Sequence, residues 1–263
     1  MLEETRKAKL IDLIKEKGEI TVNELSRVLG VTGTTIRKDL SDLENLGMVV
    51  RTHGGALLPS HTKVEWSFIQ KSQQHVEEKY AIAKKALEFV KPGDSIILDS
   101  GTTTLAMARE IKRMKLFPLT IVTNNFFIAT ELVGTGIDLI VLGGVVRENS
   151  FSLIGAFAEE NIKKIYADKS FVGATGFSKD GFMTPNINEA KIKSLMISQS
   201  SESFVIVDSS KFERPSFSIY ATFDQIDHVI TDWKVPDEDK SILANAGLDL
   251  IVAQKEEKND SQR

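Results

Sequence analysis

Two groups of residues in this 263-residue chain have the types and spacing to hold phosphate. The first is Thr34, Thr35, Arg37, Lys38 and Ser41, on one face of a short helical pattern. Hydroxyls and cations on the first half of a helix are the contact types that meet phosphates and base edges in a major groove. Arg51 and His53 add two more such groups just downstream. The second group stands at the ends of apolar runs. Asp99-Ser100-Gly101-Thr102-Thr103 closes one run and opens a helix, where backbone N–H groups, hydroxyls and the helix dipole suit a phosphate. The same loop also reads as a plain Ser/Thr start to a helix. It lacks the lysine and spacing of a nucleotide P-loop. Thr123-Asn124, Gly143-Gly144 with Arg147, Glu189-Ala190-Lys191, and Asp208 with Lys211 stand at four further ends. Each alone is a common cap or surface pair. Five such ends together suit sugar hydroxyls and phosphate.

The elements that must position these groups follow from periodicity. Thr21 with Glu24 is a capping box, and Leu25, Val28 and Leu29 form the stripe of the helix it starts. Gly30 suits the left-handed end of that helix, and Thr32 can cap the next. Ile36, Leu40 and Leu43 then face inward, leaving the first group outward. Gly47 ends this helix; Met48 to Arg51 reads as a strand and Thr52-His53-Gly54-Gly55 as a hairpin tip. Upstream, Glu3 to Lys17 reads as a helix, whose Arg6 and Lys7 suit either a DNA backbone or a solvated face. Residues 59–74 read as a linker, with Trp66 and Phe68 packed on a neighbouring domain or a partner subunit. From His75 to Val90 the pattern is helical. Short β-branched runs (Ser95–Leu98, Leu119–Thr123, Asp138–Leu142, Lys169–Gly173, Ser203–Val207, His228–Thr231 and Asp249–Val252) then alternate with helical stretches. That alternation argues for a mostly parallel α/β sheet, its strands covered on both faces. The chain divides on this reading into 1–58, a linker at 59–74, an α/β domain at 75–254 and a polar tail at 255–263.

Composition narrows the chemistry. The chain is 41% hydrophobic, with no run long enough to span a membrane. It has no cysteine, and its four histidines, His53, His61, His75 and His228, show no metal-ligand spacing, so no metal or cofactor is expected. The net charge of −4 argues at first against nucleic acid. Residues 1–60, however, hold nine Lys/Arg and nine Asp/Glu, a net of zero, so the acidic excess lies downstream. What matters for DNA is the local cluster of Arg37, Lys38, Arg51 and His53.

These residues carry a resemblance. Val31-Thr32-Gly33-Thr34-Thr35-Ile36-Arg37-Lys38-Asp39-Leu40, followed by Leu43-Glu44, Gly47, Arg51 and Gly54-Gly55-Ala56, resembles the winged helix-turn-helix of the DeoR-type family of bacterial transcriptional repressors. Thr32 replaces the family's usual Ser, and Lys38 its second Arg. Lysine lacks the planar fork of arginine, so a phosphate contact suits Lys38 better than a base contact. Downstream, Leu98 to Thr103, Val122-Thr123-Asn124, Gly143-Gly144-x-x-Arg147, Gly155, Asp168-x-x-Phe171-x-Gly173, Glu189-Ala190-x-Ile192-Lys193 and Asp208 to Phe212 are also similar to that family. The resemblance implies a larger α/β sensor domain of the fold shared by ribose-5-phosphate isomerase, glucosamine-6-phosphate deaminase and coenzyme A transferases. It implies a phosphorylated sugar as effector. Ser100, Gly101, Thr102 and Thr103 would hold its phosphate. Asp99, Thr123, Asn124, Glu189 and Asp208 would meet its hydroxyls, and Lys211 would neutralise the phosphate or pair with Asp208. Either Lys191 or Lys193 would face the site.

The expectation is therefore a cytoplasmic repressor that binds double-stranded operator DNA as a dimer or tetramer and is released by a phosphorylated sugar. The rival is a sugar-phosphate isomerase or deaminase with a DNA-binding appendage. Against it, no paired acid–base set stands at close spacing, and His228 lies before a strand beside Asp227.

Overall fold

The computed structural model describes residues 3–17, 19–45, 48–52, 54–57, 67–116, 118–212 and 215–255. Gly47, His53, Trp66 and Arg214, as well as the first half of the expected linker and most of the tail, lie outside them. The chain forms two compact units, Met1–Trp66 and Ser67–Arg263.

In the first unit, α1 (Glu3–Lys17), β1 (Glu19–Thr21), α2 (Val22–Leu29), α3 (Gly33–Asn45), β2 (Val50–Arg51) and β3 (Gly55–Leu57) follow in order. Thr21 caps α2 and forms the capping box with Glu24; Gly30 ends α2 at φ 65°. Thr32 Oγ1 accepts from the Thr35 N–H at 3.3 Å and so starts α3. Leu10, Ile14, Leu25, Ile36, Leu40 and Leu43 close a buried core between the three helices. The strands pair antiparallel in the order β1-β3-β2, with Ile20 opposite Ala56 and Arg51 opposite Ala56 on the other edge. A Cβ on Gly55 would sit 2.1 Å from the Ile20 carbonyl oxygen, so this approach of strands needs glycine.

The second unit runs α4 (Phe68–Gln73), α5 (Val76–Leu87), β4 (Ser95–Leu98), α6 (Thr102–Met114), β5 (Thr120–Thr123), α7 (Phe126–Leu132), β6 (Asp138–Val141), β7 (Val145–Arg147), β8 (Ser152–Ile154), α8 (Ala156–Ile162), β9 (Ala167–Val172), β10 (Gly176–Ser178), β11 (Gly181–Thr184), α9 (Ile187–Ser198), β12 (Ser200–Ile206), β13 (Ser218–Ala221), β14 (His228–Asp232), α10 (Asp237–Asn245) and β15 (Asp249–Ala253). Seven strands form a parallel sheet in the order β15-β14-β12-β9-β4-β5-β6. One buried cluster gathers α5, α6 and α7 on the first face around Ile96, Leu98, Phe171 and Phe204. A second gathers α8 and α9 on the other face around Ile97, Val172 and Val205.

Four features depart from the sequence reading. Val28, read as part of the stripe of α2, is exposed, and Val22 takes its place beside Leu25 and Leu29. Residues within the expected linker form α4, capped by Ser67 with Gln70, and its Phe68 is buried in the second unit. Gly181–Thr184 is strand β11, in a small antiparallel sheet with β10 and β13. Strand β6 is not covered on both faces: as the sheet's edge it leaves Ile140 and Val141 exposed.

Candidate functional site

The outward face of α3 carries the first group. Thr34, Arg37 and Lys38 are exposed, and Thr35 and Ser41 half-buried. Ile36, Leu40 and Leu43 fix this face by anchoring the opposite one. The Arg51 N–H donates to Glu44 at 3.2 Å and its guanidinium lies 3.8 Å from the same carboxylate, which orients the start of the hairpin. Arg6 and Lys7 have other work. Arg6 makes a two-pronged pair with buried Asp39, its Nη2–Oδ1 distance 2.9 Å, and Lys7 bridges Glu3 and Asp42 at 2.6 and 2.7 Å. They tie α1 to α3, and they neutralise the three clustered carboxylates Glu3, Asp39 and Asp42.

In the sheet, strand order runs one way from β4 to β6 and the other way from β9 to β15, so the switch point lies between β4 and β9. Ligands of open α/β sheets bind at the carboxyl ends of strands at such a point. A cleft of about 550 Å³, open solvent included, lies there. Ser100, Gly101, Thr102 and Thr103 from the β4 end, Gly173 to Thr175 from the β9 end, and Asp208 and Lys211 from the β12 end line it. Lys71, Ser150, Thr184, Glu189, Lys193 and Val207 complete the wall.

Asp99 is the organiser beneath the loop. It is 1% exposed and accepts from the Gly101 N–H at 2.8 Å, Thr104 Oγ1 at 2.9 Å and the Gly173 N–H at 2.9 Å. The Lys193 ammonium pairs with it and also donates to the Gly173 carbonyl at 3.0 Å. The Tyr220 hydroxyl donates to that carbonyl at 3.2 Å; burial, then the Asp99 charge, push this phenol well above its ordinary range, so it stays a neutral donor. This network pins the ends of β4 and β9 together beneath the start of α6, whose Thr102 and Thr103 line the cleft.

Glu189, buried on the first turn of α9, accepts from Ser152 Oγ at 3.0 Å, Arg147 Nη1 at 3.3 Å and Thr184 Oγ1 at 3.3 Å. Burial opposes its charge, but Lys193, Ser150, Arg147 and Lys71 outweigh burial and hold its carboxyl below the usual range. Asp208 caps the short turn Ser209–Lys211. Burial again opposes ionisation, and Lys211, Ser210 and Lys79 prevail to lower its pKa. Its Oδ2 is buried with no hydrogen-bond donor among the described residues, with Lys211 Nζ 3.9 Å away. The cleft thus offers backbone N–H groups, hydroxyls, ionised carboxylates and ammonium groups to one small polar guest.

Several expected site residues do not line this cleft. Thr123 and Asn124 are fully buried: Thr123 Oγ1 accepts from the Asn125 N–H at 3.2 Å, and Asn124 Nδ2 donates to the Leu153 carbonyl at 3.1 Å. Asn124 anchors the β7–β8 hairpin, which in turn carries Arg147, Ser150 and Ser152 toward Glu189. Gly143 and Gly144 make the turn into that hairpin, at φ 68° and 123°, and a Cβ on Gly144 would lie 2.7 Å from the Ile154 carbonyl oxygen. Arg147 stands one layer back, against Glu189. Lys191 points away and pairs with Glu159 at 2.5 Å, its side chain 61% exposed. Residues 189 and 193 are one turn apart on the inward face of α9, and 191 falls opposite, so Lys193 is the inward lysine. Sequence reading missed Lys71, Ser150, Thr175 and Thr184 as lining residues. His228 starts β14, at the amino end of the sheet, bound to Asp249 at 2.8 Å and Glu202 at 3.0 Å. It stands at the opposite end from the cleft.

The family model described as the DeoR-like helix-turn-helix domain matches residues 6–62, and the one described as the DeoR C terminal sensor domain matches residues 74–233. The chain belongs to the DeoR family of transcriptional regulators. This DeoR-family chain is 37% identical over 251 residues to the HTH-type transcriptional regulator GolR of Listeria innocua serovar 6a, spanning 95% of this chain and 98% of that one. It is 36% identical over 236 residues to the lactose phosphotransferase system repressor of Lactococcus lactis subsp. lactis, spanning 88% and 92%. Among solved structures, ribose 5-phosphate isomerase A of Methanocaldococcus jannaschii is similar at 20% identity and a TM-score of 0.37, over 52% of this chain and 54% of that one. The first unit is accordingly a DNA-binding domain, and the DeoR-family chain is a regulator and not an enzyme. Among the described residues no helix is long and apolar enough to cross a membrane.

Proposed function

We propose that this DeoR-family regulator is a cytoplasmic repressor of a carbohydrate-utilisation operon, released when a phosphorylated sugar fills the cleft at the β4–β9 switch point. The observation that carries this reading is the loop Ser100–Thr103 held open by Asp99 at the start of α6. There, backbone donors and hydroxyls meet a phosphate, with Lys211 on the same wall. The similarity to a lactose phosphotransferase system repressor supports carbohydrate as the regulated class.

On the DNA side, Thr34, Thr35 and Arg37 read base edges, and Lys38, Ser41 and Arg51 hold phosphates. His53, on the hairpin tip by sequence, joins them. A single short α3 reads few bases, so a dimer or tetramer on repeated half-sites supplies affinity. Functionally, the chain divides near residue 58, and the segment that follows carries the signal between the domains.

Fluorescence anisotropy on DNA from the gene's own upstream region, at fixed salt, tests the reading. Tight binding relieved by a phosphorylated sugar, and not by the same sugar without phosphate, is expected. Relief by the free sugar alone, or by none of a broad panel of sugar phosphates, contradicts it. In the same assay Arg37→Ala weakens specific binding by about 1–3 kcal/mol, as removal of a guanine contact does, with little effect on unrelated DNA. An equal loss on all sequences makes Arg37 a phosphate contact.

A further inference from the structure

The seven-stranded sheet has two edges, and they are finished differently. At one, Leu250, Ile251 and Val252 of β15 are all half-buried, with α5 and α10 against the strand. At the other, β6 pairs with β5 alone among the described residues, and Ile140 and Val141 are 38% and 41% exposed. An open edge is ordinarily blunted by lysine, proline or a bulge. Residues 138–146, Asp-Leu-Ile-Val-Leu-Gly-Gly-Val-Val, contain no lysine and no proline. The β5–β6 register also runs without a shift from Thr120 opposite Asp138 to Thr123 opposite Val141.

The ladder fixes where β6 points its backbone. The N–H groups of Asp138 and Leu142 donate to the Leu119 and Thr123 carbonyls, each at 3.0 Å, so Asp138, Ile140 and Leu142 bond inward to β5. Leu139 and Val141 alternate with them and present their N–H and C=O groups to the open edge. Two outward residues on either side of one inward residue are self-complementary. A two-fold axis perpendicular to the sheet at Ile140 lays a second β6 antiparallel to the first, with Leu139 of each copy opposite Val141 of the other. Each such pair exchanges two hydrogen bonds, and the two Ile140 residues meet in the close, non-hydrogen-bonded position between them. Charge does not oppose this pairing. Asp138 is the only charged residue from 138 to 146. In this register it lies opposite Leu142 of the other copy, about 13 Å along the strand from that copy's own Asp138.

We propose that the open edge of β6 is a homodimer interface, at which two copies of the chain join their seven-stranded sheets into one. The occupant is a second copy because the two-fold satisfies every outward backbone group of the strand with its own counterpart and brings no like charges together. This deepens the reading of the regulator as a dimer or tetramer on repeated half-sites by naming the surface that holds two chains together.

The chain has no cysteine, so single cysteines report the contact directly. Ile140→Cys sets two thiols across the axis, about 4.5 Å apart at Cα and within the span of a disulfide. Under mild oxidation the full chain carrying Ile140→Cys is expected to form a covalent dimer that reductant reverses. Asp237→Cys, at the exposed start of α10, is expected to remain monomeric on the same denaturing gel. Val141→Pro removes an outward N–H that β5 does not use, so it spares the ladder within the chain. It is expected to halve the mass of the assembly in sedimentation with an unchanged circular dichroism spectrum. No covalent dimer from Ile140→Cys, or an equal yield from Asp237→Cys, overturns the interface. So does an unsubstituted protein that sediments as a monomer, or a folded Val141→Pro protein that keeps its full mass. If Val141→Pro does not fold, the cysteine pair alone decides. Assembly is measured without DNA or sugar phosphate, so its failure leaves the operator and effector readings standing, and theirs leaves the interface standing.

Discussion

Asp99 and Lys193 are the residues on which the cleft most depends. Both are buried, and each satisfies the other together with Gly101, Thr104 and Gly173. Removing one member of a buried pair leaves an uncompensated charge at a cost of about 3–5 kcal/mol. Lys193→Ala is therefore expected to lower stability in denaturant unfolding by that order, whereas a loss below about 1 kcal/mol contradicts the pairing. Lys79 shows the opposite economy. Burial, only partly offset by Asp208, lowers its pKa to about 8 from the ordinary lysine value of 10.5. Below pH 8 both folded and unfolded chains carry the proton, and the folded chain bears the cost of burying it. Between pH 8 and 10.5 the unfolded chain binds more protons than the folded one, so this group's contribution to stability rises with pH. The stability of the unsubstituted protein relative to Lys79→Met should increase from pH 7.5 to 9.5; parallel curves contradict it. Among the sequence expectations, Lys193 over Lys191 was within reach. The one-turn spacing from Glu189 puts residue 193 on its face, and only the question of which face of α9 turns inward needed the fold.

At the scale of elements, what was readable is what local forces decide. The capping box at Thr21, the glycine at the end of α2 and the inward stripe of α3 are written within a few residues of one another. The strand–loop–helix from Ser95 to Met114 is equally local. The small antiparallel sheet was not legible: β11 pairs Phe182 with Ala221, nearly forty residues on, through strands of three or four residues too short to show alternation. Thr123 and Asn124 misled because a strand end in a parallel sheet is a ligand position only where nothing covers it. Here the β7–β8 hairpin does, and its origin in the glycine turn at 143 and 144 is not visible in residue types. Gly55 gives an element-level prediction. Gly55→Ala drives a methyl into the backbone of β1, so the three-stranded sheet of the first unit is lost at a cost above about 2 kcal/mol. DNA binding should vanish while sugar-phosphate binding by the second unit persists; retention of operator affinity contradicts the strand packing described.

The whole molecule has two units with separate cores. A ligand shifts DNA affinity only by binding the DNA-competent and DNA-incompetent forms differently. The same coupling must act in reverse: operator DNA must weaken the sugar phosphate by the factor by which the sugar phosphate weakens operator DNA. The most direct measurement is a calorimetric titration of the full-length protein with the sugar phosphate that relieves DNA binding, alone and with saturating operator duplex at the same salt. A lower sugar-phosphate affinity is expected on the operator complex, by the factor seen in the anisotropy experiment. Equal affinity with and without operator would show that the cleft and the DNA-reading face of α3 are not coupled, and would contradict it.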